Sequence, residues 1–417
     1  MQEARLPQDW ITYVPGSAPP LAEHTGHDVV QHALDHPIGA PPLRSVATGR
    51  SIVILVPDKT RRAATDIVLP CLLNELQLAG IEDHCITIVF ATGTHPPQTQ
   101  AEQEAILGPG MHGRFNVIEH NARDESACVL LGTTRFGTPV LLNRAVAEAD
   151  FVIVAGTIVH HYFAGFGGGA KMFLPGVAAY SSAVTNHRRT VTPGGTFHSA
   201  CRDGNIDGNP VMEDILDAAR FFPPCWYMAA ILDSKGNIAD AVCGDLLEAH
   251  RAGCAIVDRM YALPLERQVR VCIAGAGGFP KDINFIQSHK AIHHAHVTVQ
   301  DGGSLICLTE CREGIGNTSF LDWFRYADDA SFREALLTKY AMNAHTALAV
   351  REKASRLRII LVTSLDPDTV RLMGIEHAHT LQQGIDMVQA AEPGALEALI
   401  LQNASMTVWK SPSSGRE

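Results

Sequence analysis

Short runs of apolar, β-branched residues recur along the chain, and each run predicts a buried strand. The first run is SIVILV at 51–56 and the next is ITIVF at 86–90, with the apolar spacing of an amphipathic helix at 66–79 between them. A strand, a helix and a second strand in this order predict a parallel sheet with crossover helices. Similar runs predict further strands at 115–119, 151–155, 268–274, 304–308 and 358–362.

Helical spacing and turn residues occupy the intervals between these strands. Helices are predicted at 101–107, 144–148 and 245–259, and residues 132–139 predict a turn between two extended segments. Asn209 is predicted to cap a helix that has Pro210 in its first turn. Residues 1–48 give little periodic signal, and the last residues, KSPSSGRE, are typical of a disordered tail.

The strand pattern begins anew after residues 262–267, so a domain boundary is predicted there. A chain of 417 residues is long enough for more than one core. We therefore expect an α/β fold of two α/β domains with mostly parallel sheets and an active-site cleft between them. The predicted domains are residues 1–264 and 265–417.

Composition excludes several classes of function. The net charge of −11 argues against a general nucleic-acid or anionic-membrane surface. Ten cysteines without a CxxC pair, and an N-terminus without a secretory leader, favour a reduced cytoplasmic location. Cys307 and Cys311 are too isolated to indicate a zinc site. No apolar run approaches the roughly 20 residues that span a bilayer.

The densest group of chemically active residues is HHYFAGFGGGAKMFLPGVAAYSSAVTNH at 160–187, directly after a predicted strand. It contains paired histidines, a glycine run, Lys171 and His187, which together make a candidate active site. Lys171 lacks the glycine before it and the Ser/Thr after it that a Walker loop requires, and the glycine spacing does not match GxGxxG. Successive backbone N–H groups in the run can still bind the phosphate of another cofactor.

Three other segments follow or adjoin predicted strands, where ligands bind in open α/β sheets. DKTRR at 58–62 offers a guanidinium for a carboxylate or phosphate, or is a solvated charged turn. ATGTHP at 91–96 places His95 as a general acid or base, or as a structural residue. Gln287 and Lys290 share a helix face and either hold a ligand or form an ordinary polar surface.

Together these motifs resemble the nickel-pincer-nucleotide-dependent lactate racemase family, over about residues 50–320. The most specific part is HYFAGFGGGAK followed by LPG and by a histidine sixteen residues after the lysine. DxTR, ATGTH, DGNP and GFPKDxNxxQxxK occur in the same order and add independent support. The resemblance implies two α/β domains with the site in a cleft between them.

The resemblance assigns roles to individual positions. It implies that the nickel-pincer nucleotide (pyridinium-3-thioamide-5-thiocarboxylic acid mononucleotide) is attached covalently at Lys171, and that His187 ligates its nickel. The other implied roles are proton transfer by His95 and His161, substrate binding by Arg61, Gln287 and Lys290, and contact with the cofactor by Asp58, Thr60, Gly168 and Gly169. The N-terminal domain would then carry the cofactor lysine and histidines, and the C-terminal domain would contribute substrate-binding residues.

The implied activity is racemisation or epimerisation of a 2-hydroxy acid at carbon 2. Removing hydride instead of a proton avoids a carbanion beside the carboxylate, and a pyridinium ring can hold the hydride. Of two histidines on opposite faces of the substrate, one then removes the hydroxyl proton and the other supplies a proton. The implied partners are a small 2-hydroxy-acid substrate and the proteins of cofactor biosynthesis, with no nucleic acid and no membrane; a homo-oligomer stays open.

Three positions depart from the common family pattern. Arg62 stands where the family often has proline, Ile286 where an aromatic residue is common, and Gly167 where serine is common. These departures spare the cofactor residues and leave the substrate open, including a 2-hydroxy acid whose second carboxylate binds Arg62. The alternatives are a protein that binds or carries the cofactor without catalysis, and an NAD- or ATP-dependent enzyme that uses the glycine loop.

Overall fold

The computed structural model describes residues 3–14 and 26–410. The predicted tail lies outside the described residues from residue 411 onward. The strands are β1 (Ile11–Tyr13), β2 (Ile52–Pro57), β3 (Ile86–Ala91), β4 (Asn116–Glu119), β5 (Cys128–Thr133), β6 (Pro139–Asn143), β7 (Phe151–Thr157), β8 (His160–His161), β9 (Gly165–Phe166), β10 (Cys225–Leu232), β11 (Ile238–Gly244), β12 (Ala262–Pro264), β13 (Val269–Gly275), β14 (Val299–Leu308), β15 (Arg358–Val362), β16 (Glu376–Ala378), β17 (Glu397–Leu401) and β18 (Val408–Lys410).

The helices lie mainly between strands that run parallel to each other. They are α1 (Gly26–Asp35), α2 (Leu43–Val46), α3 (Thr65–Leu78), α4 (Gln100–Leu107), α5 (Met111–Arg114), α6 (Arg144–Ala147), α7 (Tyr180–His187), α8 (Pro210–Ala218), α9 (Leu246–Tyr261), α10 (Phe285–Ala295), α11 (Asp329–Thr338), α12 (Ala344–Arg356), α13 (Pro367–Leu372) and α14 (Leu381–Ala391). The predicted strands and helices are thereby confirmed, with bounds that shift by a few residues. Asn209 caps α8 as predicted, because its side chain accepts from the backbone N–H groups of Val211 and Met212.

The chain folds into two compact units, and the first contains the described residues of Pro19–Thr190 and Ser199–Met260. Its sheet has the strand order β11-β10-β7-β2-β3-β4, and only the β10–β11 pair is antiparallel. Strands β2 and β7 are buried along their whole length, since helices cover a parallel sheet on both faces. This arrangement explains the continuous apolar runs in the sequence.

The second unit contains a six-stranded sheet of order β1-β17-β13-β14-β15-β16, in which every neighbouring pair is parallel. One face packs a large apolar core that includes Phe285, Phe320 and Phe332. The other face packs a smaller cluster that includes Trp10, Ile306 and Ile385. The α/β fold class with mostly parallel sheets is therefore confirmed.

The division of the chain differs from the predicted ranges 1–264 and 265–417 at two places. Strand β1 belongs to the second sheet, because it pairs in parallel with β17. Residues Val191–His198 also belong to the second unit, where Arg333 donates to the Gly195 carbonyl at 3.1 Å and Phe197 N donates to Glu352 at 3.3 Å. Both segments join the second unit through contacts with residues that are distant in sequence. Local periodicity does not predict such contacts.

Across the described parts of the chain, none of the helices combines the length and the apolar character that crossing a bilayer requires.

Candidate active site

Three neighbouring parallel strands of the first unit, in the order β7-β2-β3, bring the predicted loops to one edge of the sheet. Asp58 directly follows β2, Thr92 directly follows β3, and the segment that begins at Ile158 follows β7. The carboxyl ends of parallel strands meet at the same edge, which is where open α/β sheets bind ligands. The edge therefore carries DKTRR, ATGTH and the glycine-rich segment together.

Asp58 and His95 form a hydrogen-bonded pair between the first two loops. Oδ2 of the buried Asp58 accepts from Nδ1 of His95 at 2.5 Å, and Oδ1 accepts from the Thr60 hydroxyl at 2.6 Å and the Thr60 backbone N–H at 3.0 Å. Burial alone would raise the pKa of Asp58, but the charge and hydrogen bond of His95, with Arg61 and Thr60, lower it to about 2.

The ionised Asp58 fixes the tautomer of His95. A carboxylate without a proton can only accept hydrogen bonds, so Nδ1 of His95 carries the hydrogen between them. Nε2 is then the nitrogen that exchanges a proton with a ligand. The sequence pointed to both residues but did not reveal that they are partners.

Arg61 extends this network. Its Nη1 donates to the Thr60 hydroxyl at 2.9 Å and to the Thr60 carbonyl at 3.2 Å. Burial lowers the pKa of the Arg61 guanidinium, and the charge of Asp58 acts in the opposite direction. The predicted contact of Asp58 and Thr60 with a cofactor phosphate stays a prediction, while the structure gives both residues a role in holding His95 and Arg61.

The predicted residues of the glycine-rich segment converge on the ring of Phe163. The ring centroids of His161 and His187 lie 4.4 and 4.8 Å from the Phe163 centroid, and Lys171 Nζ lies 5.1 Å from it. His187 ends helix α7, which places a residue sixteen positions after Lys171 beside the same ring. The structure thus brings His161, Lys171 and His187 together, as the predicted site requires.

Lys171 is electrostatically unusual. Burial of its amine, with a smaller contribution from the charge of Arg61, lowers the pKa from 10.5 to about 7. At neutral pH a large share of the amine is therefore uncharged, which is the nucleophilic form of a lysine. The charge of Arg61 in the DKTRR loop therefore acts on Lys171 in the glycine-rich segment.

At two positions of the glycine run, neighbouring atoms lie so close to the backbone that only glycine fits. Gly168 has φ +77°, and a β-carbon there would lie 2.4 Å from the Thr157 carbonyl oxygen. Gly169 has φ +56°, and a β-carbon there would lie 2.6 Å from Cγ of His250. Gly167 is different, because a β-carbon there would make an ordinary 3.4 Å contact with Val159. Position 167 therefore has room for a β-carbon, whereas 168 and 169 do not.

Two side chains that the sequence did not single out support the glycine run. His250 Nε2 donates to the Gly167 carbonyl at 3.0 Å, and the Tyr227 hydroxyl accepts from the Gly169 backbone N–H at 3.1 Å. Burial lowers the pKa of His250 to about 4, so this histidine is neutral at pH 7. Both lie in an ordinary strand or helix pattern far along the chain, and no local signal marked them.

The DGNP motif fastens the segment that carries His161 and Phe163. Asn209 Nδ2 donates to the Phe163 carbonyl at 2.9 Å, while the side-chain oxygen of Asn209 caps α8. Gly204 N also donates to the Gly165 carbonyl at 2.9 Å. The motif thus has a structural explanation in the first unit.

Gln287 and Lys290 lie on α10 in the second unit and are paired. Lys290 Nζ donates to the Gln287 side-chain oxygen at 2.7 Å, which confirms that they share a helix face. The backbone N–H of Gln287 is capped by the Asn284 side chain at 3.0 Å. Their predicted action on one substrate together with His95 and His161 stays a prediction.

Within residues 3–14 and 26–410, no group of three or more His, Cys, Asp or Glu side chains is arranged to hold a metal ion.

Family models match both parts of the chain. The model described as the lactate racemase N-terminal domain matches residues 1–196, and the model described as the lactate racemase C-terminal domain matches residues 266–404.

Two curated relatives are lactate racemases. The protein of Lactiplantibacillus plantarum is 31% identical over 392 residues, which cover 92% of this chain and 91% of the relative. The protein of Thermoanaerobacterium thermosaccharolyticum is 32% identical over 303 residues, which cover 72% of this chain and 70% of the relative.

Solved structures agree with these matches. The lactate racemase apoprotein of T. thermosaccharolyticum superposes with a TM-score of 0.86 at 26% identity, covering 97% of this chain and 96% of the other. A Thermotoga maritima protein has a TM-score of 0.70 at 17% identity, covering 93% and 98% of the two chains, and supports the fold alone.

Proposed function

Because the chain belongs to the lactate racemase family, we propose that it inverts the configuration at carbon 2 of a 2-hydroxy acid. The proposed enzyme is a racemase or epimerase that carries a nickel-pincer nucleotide on Lys171. The observation that carries the proposal is the convergence of His161, Lys171 and His187 on the Phe163 ring.

The chemistry of the residues fits the proposed cofactor. A lysine whose pKa is about 7 offers the uncharged amine that a covalent thioamide link requires. A lone imidazole from His187 would suit a nickel ion whose remaining donors are the soft sulfur and carbon atoms of the cofactor. When bound, the cofactor supplies an acceptor for the hydride that leaves carbon 2 of the substrate.

His95 and His161 are the proposed proton-transfer residues. His95 Nε2 takes the hydroxyl proton on one face of the substrate, while Asp58 holds Nδ1 and compensates the positive charge that forms on the ring. His161 performs the same task on the other face. Inversion would require that the hydride, which the bound cofactor would supply, return to the opposite face of carbon 2 while the second histidine donates a proton to the carbonyl oxygen.

The substrate carboxylate is assigned to Arg61, with Gln287 and Lys290 contributing from the second unit. Arg62 is exposed, and its Nη1 lies 3.3 Å from the point where a β-carbon of Gly236 would stand, beside the turn that follows β10. We include in the proposal that the Arg62 guanidinium binds the second carboxylate where the 2-hydroxy acid has one. Arginine suits such a contact because its planar fork binds a carboxylate with two hydrogen bonds.

The decisive experiment loads the protein with its cofactor. The chain is produced together with cofactor-biosynthesis proteins, and intact-mass and peptide analysis then seek an adduct on Lys171 and nickel stoichiometric with the chain. The Lys171→Met variant is the matched control and should carry no adduct. The loaded protein is next incubated with a panel of optically pure 2-hydroxy acids, and loss of optical purity is followed by chiral chromatography.

Each outcome has a distinct meaning. An adduct with racemisation of at least one acid supports the proposal. An adduct without turnover on any acid would favour a cofactor carrier. Absence of adduct and nickel, in a host that loads a known lactate racemase in parallel, would refute the cofactor assignment.

A further inference from the structure

The short hairpin formed by β8 and β9 presents two adjacent histidines in opposite directions. Neighbouring residues of a strand point to opposite faces, so His160 and His161 cannot share an environment. His161 packs against Tyr162 and Phe163, at centroid distances of 5.6 and 4.4 Å. His160 faces helix α9, where its Nε2 lies 2.7 Å from Oδ1 of Asp258.

The contact between His160 and Asp258 is well enclosed. The His160 side chain is 2% exposed and the Asp258 side chain is 25% exposed. The ring of Phe166 lies 5.0 Å from the His160 ring across the hairpin. A β-carbon at Gly204 would lie 3.5 Å from Asp258 Oδ1 and 3.9 Å from the His160 ring, so the loop before α8 closes over the pair.

The hairpin is too short to hold its own conformation. It contains only the residue pairs His160 with Phe166 and His161 with Gly165, and isolated short hairpins are marginally stable in water. Its position therefore depends on external contacts. Asn209 and Gly204 bond its backbone from the loop before α8, and Asp258 bonds the back of the strand that carries His161.

We propose that His160 and Asp258 are positioning residues that hold the hairpin so that His161 packs against Phe163, the ring that Lys171 and His187 also approach. The bond between Nε2 of His160 and the Asp258 carboxylate fixes the backbone of β8 against helix α9. Because His161 is the next residue of β8, the orientation of its side chain depends on the same backbone. The role in catalysis rests on the proposed function, whereas the effect on the orientation of His161 does not. Catalytic side chains need to be held within about 10–20° of their productive geometry, so loosening the anchor affects turnover more than substrate binding.

The experiment compares His160→Ala, His160→Gln and Asp258→Ala, with Arg259→Gln as the control. A glutamine amide lies near the position of the histidine Nε2 and can still donate to Asp258, whereas alanine cannot. Arg259 also lies on α9, but its side chain is exposed. Hydrogen–deuterium exchange at C2 of the His161 imidazole, read by fragment mass spectrometry, reports the surroundings of that ring in the unloaded protein.

We expect faster exchange at His161 in His160→Ala and Asp258→Ala, with the rate in His160→Gln and Arg259→Gln staying close to that of the unmodified chain. In loaded protein, kcat should fall about tenfold in the two alanine variants with KM within about twofold. The double alanine variant should be no worse than either single variant, since both remove the same bond.

The outcomes separate the positioning role from the proposed function. If both alanine variants fold and keep the unmodified exchange rate at His161, the positioning role is overturned. If His160→Gln is impaired as strongly as His160→Ala, the hydrogen bond is not the cause and the proposal also fails. If the loaded, unmodified chain racemises nothing, the proposed function fails while the exchange rates still decide the positioning role.

Discussion

His95 and His161 have similar predicted roles but unlike surroundings. The His95 side chain is partly exposed and is fixed by the ionised Asp58, whereas His161 is buried among the aromatic rings of Tyr162 and Phe163. A carboxylate sets the tautomer of a histidine, while aromatic packing sets only the direction of its ring. The two proposed proton-transfer residues are therefore held by different physical means.

Removing either histidine should have the largest effect on activity. We expect His95→Ala and His161→Ala each to lower racemisation about 10³-fold, because general acid–base catalysis contributes roughly 10²–10⁴-fold. The Lys171 adduct should form normally in both variants. Chiral chromatography measures the activity and intact mass measures the adduct.

The control for this pair is His84→Ala, since the His84 side chain is 75% exposed and lies in a surface turn. Its activity should match that of the unmodified chain. Full activity in either His95→Ala or His161→Ala would remove the two-histidine mechanism.

Some strands of the fold were predictable from the sequence and others were not. His95 follows β3 and His161 follows β7, and β2 lies between these two strands. All three strands were predictable because they are largely buried and their apolar runs are continuous. Strand β17 was not predicted, since its sequence, EALIL, contains the helix formers Glu, Ala and Leu. Tertiary pairing with β13 overrides that local preference.

The site was predictable as a set of residues but not as a set of contacts. The resemblance supplied His95, His161, Lys171 and His187 from motifs that are local in sequence. The supporting contacts join residues 37, 83 and 98 positions apart, in the pairs His95 with Asp58, His250 with Gly167, and His160 with Asp258. Such pairs are fixed by the sheet order and the helix packing, which single-sequence periodicity does not contain.

Lys171 lies near the same Phe163 ring as His161, and its burial predicts that the free energy of unfolding depends on pH. Its folded-state pKa of about 7 lies below the unfolded value of 10.5, so the unfolded chain binds more protons between these values. The stability penalty is complete at pH 7 and below, and it disappears as the pH rises toward 10.5. Lys171→Met should therefore stabilise the unloaded protein at pH 7 by on the order of 3 kcal/mol, after allowance for partial exposure.

Urea-induced unfolding of the unloaded protein at pH 7 and pH 10 measures this gain. The gain should shrink at the higher pH. The exposed Lys235 provides the control, because Lys235→Met should change stability little at either pH. A Lys171→Met gain that is equal at both pH values would contradict the lowered pKa.

On the other side of the comparison, Asp58→Asn should disturb His95 and spare His161. An asparagine amide can donate as well as accept, so it no longer forces the hydrogen onto Nδ1 of His95. We expect racemisation to fall about 10²-fold, as for loss of general acid–base catalysis at one group. Exchange at C2 of the His95 ring should change, and exchange at C2 of the His161 ring should not.

The same variant has a stability consequence with a defined pH range. The Asp58 pKa is lowered from 3.8 to about 2, so its contribution is present above pH 3.8 and is lost as the pH falls through about 2. The stability difference between the unmodified chain and Asp58→Asn should therefore shrink on acidification in that range. A difference that grows toward pH 2 would contradict the assignment of an ionised Asp58.

The smallest expected effect concerns Arg62, the neighbour of Arg61 on the His95 side. Arg62→Ala should lower kcat/KM about tenfold for 2-hydroxy acids with a second carboxylate, because one bidentate ionic contact is lost. Activity on monocarboxylic 2-hydroxy acids should stay within about twofold of the unmodified value, since Arg61 and the two histidines are untouched. Arg144→Ala, which removes an exposed arginine paired with Glu148 on α6, is the matched control and should leave both substrate classes unaffected. Equal losses on both classes in Arg62→Ala would indicate a general effect on the loop, and no loss on either class would remove Arg62 from substrate recognition.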